Sequence, residues 1–464
     1  GGTTMKKLLS LILSLLLLLS FAACGKDNSN KATTNGASNE NKPAAATEIY
    51  FLNFKPEIAS VYDKIAKEYK EKTGVTVKVV TAASNSYEQT LTSEIAKSEA
   101  PTIFQINGPV GYKSWADYCA DLKDTALYSF LSDKSLAIKS GDSVYGIPYV
   151  VEGYGIIYNE EITDRYFALK DKKTSFSSMD EINSFSKLKA LVEDMQSRKS
   201  ELKIEGVFSS TSFSSGNAWR WDTHLANVPL YYEFSENKSF EDPTLAGLGS
   251  SEIKFTYNEN FKNIFDLYIN NSGTPKNLIG SKSVNDSMAE FALGKTAMVQ
   301  NGNWAYKDIA GVDGNTVKKD KIKMLPIYTG IKGEENQGLC IGTENYLAIN
   351  SKVSEEKQKA SADFLEWLFS SDEGKRYVIK ELGFISPFNT FDEDERPEDP
   401  LANQILDWME KKDIKSVPWI FTSFPSETFK QDFSSVLLQY AQGSADWNKV
   451  VQTVQNAWKN EYQE

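Results

Sequence analysis

The fold is decided by residues 48–106, which read EIYFLNFKPEIASVYDKIAKEYKEKTGVTVKVVTAASNSYEQTLTSEIAKSEAPTIFQI. Short runs rich in β-branched and aromatic residues have the pattern of strands, and the longer segments between them repeat apolar residues at helical spacing. The pattern predicts strands at 48–54, 75–80 and 102–106, and helices at 57–72 and 86–98. Because strands alternate with helices, we expect an α/β fold with a mostly parallel sheet covered on both faces.

The next informative stretch is VYGIPYVVEGYGIIYN (144–159), which is too long for one ordinary strand. It is consistent with two strands of one sheet or with a segment that crosses between two lobes. The remaining pattern predicts a loop at 209–217, strands at 296–300, 321–328 and 345–350, and helices at 180–196, 261–269, 286–293, 354–369 and 431–440.

Polar and aromatic residues follow the predicted strands at the points where the strands end. Asn53, Asn107, Glu152, Asn303 and Trp304 all have such positions. In open α/β sheets, ligands bind beyond the carboxyl ends of the strands. Amides and carboxylates can each engage two hydroxyl groups, and an indole ring packs on the apolar face of a pyranose. The set therefore favours a sugar ligand.

The beginning of the sequence has the pattern of a secretory signal. Two lysines precede an apolar run, 8–23, which is shorter than a membrane-spanning helix and ends in Ala22-Ala23 before Cys24. We expect residues 1–23 to be a signal peptide, and the polar stretch 24–47 to be a flexible tether. The segment resembles the lipobox of bacterial lipoproteins, which implies that Cys24 carries lipid. An ordinary secreted protein is the alternative.

Composition excludes several classes of function. The sequence has 63 acidic and 51 basic residues, so a nucleic-acid partner is not expected. His224 is the only histidine, which excludes a zinc site with several histidines. No metal or cofactor is predicted. Besides Cys24, only Cys119 and Cys340 remain, and two cysteines do not define a disulfide framework.

Three segments resemble those of carbohydrate-specific solute-binding proteins of ABC importers, of the maltose- and multiple-sugar-binding type. They are VYGIPYVVEGYGIIYNEEI (144–162), FALGKTAMVQNGNWAY (291–306) and ADFLEWLFSSDEGKRYV (362–378). The resemblance implies a two-lobed periplasmic-binding-protein-like fold of type II, with a hinge and a ligand cleft between the lobes. We expect an N-terminal lobe of 48–151 plus 325–370, and a C-terminal lobe of 152–324 plus 371–464.

The resemblance also implies roles for individual residues. Trp304 would stack on a sugar ring, and Glu152 would bond sugar hydroxyls at the first crossing between the lobes. Asn53 and Asn107 would come from the N-terminal lobe. The other expected contacts are Phe424 (or Phe421, with Trp419 nearby), Trp219, Trp221, Asp222, Asn303 and Glu344. Tyr154 is expected either in the hinge or in the wall of the site, and His224 in a structural role rather than at the ligand.

The predicted function is non-catalytic capture of an oligosaccharide outside the membrane and its delivery to the permease of an ABC transporter. An α-linked sugar of malto- or raffinose type is the expected ligand. The expected protein is a monomer, anchored at Cys24 to the outer face of a Gram-positive cell membrane. The alternative is a surface glycoside hydrolase, in which Glu152 and Asp222 would be the two carboxylates.

Overall fold

The computed structural model describes residues 47–82, 84–210, 212–239, 242–392 and 394–462. The predicted signal peptide, Cys24 and all but the last residue of the predicted tether lie outside the described residues. The strands are β1 (Glu48–Asn53), β2 (Thr76–Thr81), β3 (Ile103–Asn107), β4 (Ile138–Ser140), β5 (Ser143–Pro148), β6 (Glu152–Asn159), β7 (Gly206–Phe208), β8 (Thr296–Gly302), β9 (Ile322–Leu325), β10 (Gln337–Gly342), β11 (Asn345–Ile349) and β12 (Lys415–Pro418).

The α-helices surround these strands. In chain order they are α1 (Ala59–Thr73), α2 (Ser84–Ile95), α3 (Gly108–Trp115), α4 (Ala126–Phe130), α5 (Glu160–Phe167), α6 (Phe185–Ser197), α7 (Lys199–Leu202), α8 (Ala226–Glu236), α9 (Ala246–Gly249), α10 (Asn258–Asn270), α11 (Val284–Ala292), α12 (Ala305–Ala310), α13 (Glu355–Ser370), α14 (Asp372–Arg376), α15 (Pro400–Met409), α16 (Glu427–Ala441) and α17 (Trp447–Asn460). Two π-helical segments, Arg220–Leu225 and Tyr377–Leu382, and several short 3₁₀ helices are also present. None of the helices in the described ranges has the length and apolar character that crossing a membrane requires.

The strands form two sheets. The first sheet has the order β2-β1-β3-β11-β5-β4, and the second has the order β12-β10-β6-β8-β7, with β9 also paired to β6. Both sheets are mixed. In the first, β1 is parallel to β2 and β3, whereas β11 is antiparallel to β3 and to β5. The predicted mostly parallel sheet therefore holds for residues 48–106 only, because β11 enters the first sheet from the second and runs in the opposite direction.

The first sheet is buried on both faces. Alternate residues of a strand point to opposite faces, and in β1 Ile49 and Phe51 belong to one apolar core while Tyr50 and Leu52 belong to another. Helices α1 and α13 pack on the first of these faces, and α2 packs on the second. The expected covering of both faces is thus present.

The chain crosses between the sheets where the sequence left two alternatives. Residues 144–159 form β5 in the first sheet and β6 in the second, so the segment is a crossing. The chain returns between β10 and β11, at residues 343–344. Leu325 in β9 and residues 337–342 in β10 pair in the second sheet, and several apolar residues of 377–388 pack in the core of the first. The predicted boundaries at 325 and 371 therefore do not coincide with these crossings. Apolar strands and helices of either sheet have the same sequence pattern, which is why the pattern could not place them.

Candidate ligand-binding site

An aromatic cluster lies at the second sheet, beside the first crossing, and consists of Tyr154, Trp219, His224, Trp304, Trp419 and Phe421. Tyr154 stacks on His224 with ring centroids 4.2 Å apart and planes 8° apart, and its hydroxyl donates to the His224 carbonyl over 3.0 Å. The ring centroid of Trp304 lies 5.4 Å from that of His224 and 6.2 Å from that of Trp419. Trp304 is half-buried whereas Tyr154 is fully buried, so the tyrosine packs on the buried side of the aromatic cluster.

Two glycines allow the indole rings to lie flat against the backbone. A Cβ at Gly302 would be 2.2 Å from the ring of Trp304, and a Cβ at Gly342 would be 2.6 Å from the ring of Trp419. Any larger residue would displace the indoles. The NGNW sequence that ends β8 therefore requires its glycine because of the ring that follows it.

Polar atoms without partners surround the aromatic cluster. Each is buried and has no hydrogen-bond partner among the described residues: Asn107 Oδ1, Asp222 Oδ1, His224 Nδ1, Thr343 Oγ1, Asn345 Nδ2 and Trp419 Nε1. Asn107 and Asn345 face each other in register at the ends of β3 and β11. Leaving a buried polar group unpaired costs about 1–3 kcal/mol, so this many together indicate a site that a polar ligand completes.

A buried ion pair joins the β1–α1 connection to the first crossing. The Lys55 ammonium lies 2.6 Å from the Glu152 carboxylate and 3.8 Å from that of Glu57. The Lys55 and Glu152 side chains are only 7% and 6% exposed. Charges this deeply buried persist only when paired, so the pair holds the first sheet to the start of β6.

A second group of charges lies at α16. Lys430 contacts Glu427 over 2.7 Å, and its charge also acts on Asp222 and Glu344. Burial raises the pKa of Asp222 to about 8 and that of Glu344 to about 7, and Lys430 opposes both shifts. Both carboxyl groups can thus be protonated near neutral pH, and each can then donate as well as accept a hydrogen bond.

The two sheet regions contact each other beside this site. The Gly108 N–H at the start of α3 donates to the Glu344 carbonyl over 2.9 Å. A Cβ at Gly108 would be 2.8 Å from Cβ of Thr422, which lies in a 3₁₀ turn beyond β12. The cavity that Glu57, Glu152 and Trp304 line here has a volume of about 20 Å³, enough for one or two waters. This cavity is therefore much smaller than the roughly 300–1,000 Å³ of ordinary ligand pockets.

The comparison with known proteins places the chain in a family. The family described as bacterial extracellular solute-binding protein matches residues 64–404. The chain belongs to this family. A maltooligosaccharide ABC transporter solute-binding lipoprotein of Streptococcus pneumoniae is 22% identical over 440 residues, which are 90% of this chain and 96% of the relative.

Solved structures of similar fold agree with this assignment. A chitin oligosaccharide binding protein superimposes with a TM-score of 0.69 at 16% identity, over 90% of this chain and 100% of the other. RafE in complex with raffinose gives 0.66 at 17% identity, over 89% and 99%. Maltose-bound MalE3 of T. maritima gives 0.65 at 14% identity, over 89% and 100%. Solute-binding proteins of this kind have two lobes and the periplasmic-binding-protein-like fold, which is the fold of this chain.

In this solute-binding protein, several of the predicted site residues lie together. Tyr154, Trp219 and Trp304 are in the aromatic cluster. Asn107 and Asp222 provide unpartnered atoms near it. Glu344 lies next to Thr343 at the second crossing, and Glu152 is in the ion pair with Lys55. These positions agree with a site at the crossings, and ligand contact by each residue remains a prediction.

Other predicted residues have side chains that are used elsewhere. Trp221 packs on Phe213 and Tyr268 in the core of the second sheet region. Phe424 packs on Phe429 and Trp458, so Phe421 is the phenylalanine that joins the aromatic cluster. The reason is local, because the π-helical turn and the 3₁₀ turn set which side chains face inward.

Two predicted asparagines use their side chains in hydrogen bonds within the protein. Asn53 Nδ2 donates to the Lys55 carbonyl over 2.8 Å and to Thr81 Oγ1 over 3.0 Å. Asn303 Oδ1 accepts from the Gly153 N–H over 2.9 Å, which ties the end of β8 to β6. Both therefore shape the strand ends that carry Lys55 and Trp304.

Sequence reasoning missed some participants. Lys55 follows the end of β1 by two residues, so its place at a strand end was the available signal. His224 was expected to be structural, yet its Nδ1 is among the unpartnered atoms. Lys430 gave no signal, because nothing in the pattern of α16 distinguishes it from a surface lysine.

Proposed function

We propose that this solute-binding protein captures an oligosaccharide at the aromatic cluster and delivers it to the permease of an ABC transporter. The observation that carries the proposal is the set of buried, unpartnered polar atoms beside half-buried indole rings. Sugar hydroxyls both donate and accept, so they match a mixed set of amide, carboxyl and indole groups. Apolar ring faces of the sugar match the indoles.

The sugar is proposed to be an α-linked oligosaccharide of malto- or raffinose type. The names of the pneumococcal relative and of the raffinose-bound neighbour support this class. The several aromatic rings of the cluster also suit a ligand longer than one ring. Trp304 would stack on a sugar unit, and Asn107, Asp222 and Glu344 would bond its hydroxyls.

Capture is proposed to occur by closure of two lobes, one around each sheet. The lobes would be joined by the crossings at 149–151 and 343–344, and the Lys55–Glu152 ion pair would link them in the closed state. The contact of Gly108 with Thr422 would form only on closure. The small size of the cavity beside Trp304 and Glu152 supports this motion, since no sugar fits that cavity.

The protein is proposed to act as a lipid-anchored monomer on the outer face of the cell membrane. Its relatives are named lipoproteins, and the sequence around Cys24 resembles a lipobox. A tethered binding protein stays at high effective concentration near its transporter. Replacing Cys24→Ala should release the protein into the medium with unchanged sugar affinity, whereas retention on the membrane would contradict the anchor.

The test of the proposed function is a calorimetric titration of the mature protein with malto-, raffinose-, xylo-, galacto- and chito-oligosaccharides. We expect binding of one α-linked series and heat close to zero for the others. The absence of binding heat for every sugar of the panel would contradict the proposal. Chromatography of the same mixtures should find no shortened sugars, and cleavage abolished by Glu152→Gln would instead identify a hydrolase.

A further inference from the structure

A small cavity lies inside the second sheet region, away from the contact with the first. It is found at the carboxyl end of β7, beside the middle of the parallel strand β8, and residues 208–210, 212, 220–221, 268 and 299–300 line it. Carboxyl ends of parallel strands are common ligand positions in α/β folds. Its volume of about 10 Å³ matches one water or an ion of similar size and excludes any part of a sugar ring.

Arg220 brings a positive charge to this cavity. The residue is 3% exposed, and its guanidinium lies 3.8 Å from the ring centroid of Trp219. Its Nε and Nη1 are buried without a hydrogen-bond partner among the described residues. Burial lowers the pKa of Arg220 to about 9, and the charge of Asp308 acts in the opposite direction without forming an ion pair in the part of the chain that the structure describes.

Such an arginine needs a counter-charge. A guanidinium remains protonated at neutral pH, and a buried charge without a partner costs several kcal/mol. Breaking the stack on Trp219 to reach water would disturb the aromatic cluster. An anion inside the cavity that Arg220 lines would neutralise the charge without breaking this stack.

The other free groups of the cavity include a further donor. The Tyr268 hydroxyl is buried and has no partner among the described residues. Burial raises the pKa of Tyr268 well above its ordinary value, so it keeps its proton. Gln300 donates through Nε2 to the Arg220 carbonyl over 2.8 Å and leaves its Oε1 unpartnered. The unpartnered donors are thus two guanidinium nitrogens, with three N–H groups between them, and one hydroxyl, against one unpartnered amide oxygen, and the charge is positive.

We infer that this cavity binds a small monovalent inorganic anion of chloride size. The size of the cavity excludes sulfate and carboxylate groups, and the donors and the charge of Arg220 favour an anion over water. The anion neutralises Arg220 and keeps the guanidinium flat against Trp219. This inference rests on Arg220 and does not require the proposed function.

The experiment is thermal unfolding of the mature protein without sugar, in sodium chloride and in sodium methanesulfonate at equal ionic strength. The larger organic anion controls for screening. We expect the wild-type Tm to be higher in chloride by a few degrees and to saturate with its concentration, as linkage requires. Tyr268→Phe should need several-fold more chloride, and Arg220→Gln should lose the effect. Arg396→Gln, which removes a partly exposed arginine with two carboxylate partners, should keep the wild-type difference in Tm between the two salts.

Two results would overturn the inference. One is a wild-type Tm that is equal in the two salts, which would mean that the cavity holds water. The other is a full chloride effect in Arg220→Gln. Should Arg220→Gln fail to fold, crystals of wild type and Tyr268→Phe grown in sodium bromide decide the question. A bromide peak in anomalous maps at Arg220 is expected in the wild type, and its absence would overturn the inference. Neither experiment contains sugar, so a failure here is distinct from a failure of the proposed function.

Discussion

At the scale of single residues, the site depends on which side chains a turn directs inward. Trp219 and Trp221 are two residues apart and look equivalent in the sequence. Because a π-helical segment begins at Arg220, Trp219 lies beside Trp304. Trp221 instead packs in the core. Trp304 could be predicted because a strand end and a glycine precede it. The roles of the two other tryptophans could not, because π-helical turns have no reliable sequence signature.

Asp222 provides a test at this scale. Its pKa is raised to about 8 by burial, whereas the unfolded chain titrates near the ordinary value of 3.8. Between these values the folded state holds a proton that the unfolded state has lost. The free energy of unfolding therefore falls as pH rises from about 4 to 8.

Replacing Asp222→Asn removes this dependence. We expect the variant without ligand to exceed the wild type in unfolding free energy by more than about 1 kcal/mol at pH 8, with the gain shrinking toward pH 4. Urea unfolding across this range measures it. The exposed Asp432→Asn variant is the control and should follow the wild type. A gain for Asp222→Asn that is constant with pH would contradict the buried, protonated state.

At the scale of elements, two helical segments decide the shape of the aromatic cluster. Pro229 lies inside α8 and cannot donate to the carbonyl of Leu225. The turn before it is widened into the π-helix that ends at Leu225. The proline was visible in the sequence, but its effect on the preceding turn depends on how the helix packs. The helices predicted at 57–72 and 354–369 were regular and were found within a few residues.

The start of α3 is the element that meets the second sheet region. Gly108 has φ +62 and lies against Thr422, so a methyl group there adds both backbone strain and a clash. Gly443 has φ +79 but nothing within 4 Å, so a methyl group there adds strain alone. Both substitutions should lower the Tm, because a residue other than glycine disfavours positive φ.

Only Gly108→Ala should also lower the affinity for the sugar, by several-fold, because the added methyl group obstructs the proposed closed state. Calorimetric titration of both variants with the sugar that the wild type binds measures the difference. Equal affinities for Gly108→Ala and Gly443→Ala would contradict a role for this contact in closure.

At the scale of the whole molecule, the alternation of strands and helices in residues 48–106 was enough to predict an α/β fold. The resemblance of three segments added the two-lobed family fold. The first crossing was one of two alternatives for residues 144–159, but the antiparallel pairing of β11 and the second crossing were not predicted, since strand partners are set by contacts distant in sequence. The strand β10 illustrates this, because its short sequence does not show which of the two sheets it joins.

Closure of the whole molecule has its own prediction. The cavity that Trp304 and Glu152 line has room for one or two waters, so we expect the sugar-free protein to open before it admits ligand. Small-angle X-ray scattering should give a smaller radius of gyration with sugar than without, since the ligand favours the closed state. Identical profiles under both conditions would contradict a hinge motion.

The central claim is that the aromatic cluster holds an oligosaccharide, and calorimetric titration of Trp304→Ala tests it most directly. Trp408→Ala is the control, because Trp408 is also half-buried but lies on α15, where its Nε1 donates to the Met324 carbonyl. With the sugar that the wild type binds, Trp304→Ala should lose at least tenfold in affinity, about 1.4 kcal/mol, while remaining folded. Trp408→Ala should bind as wild type. Unchanged affinity in Trp304→Ala would contradict the account.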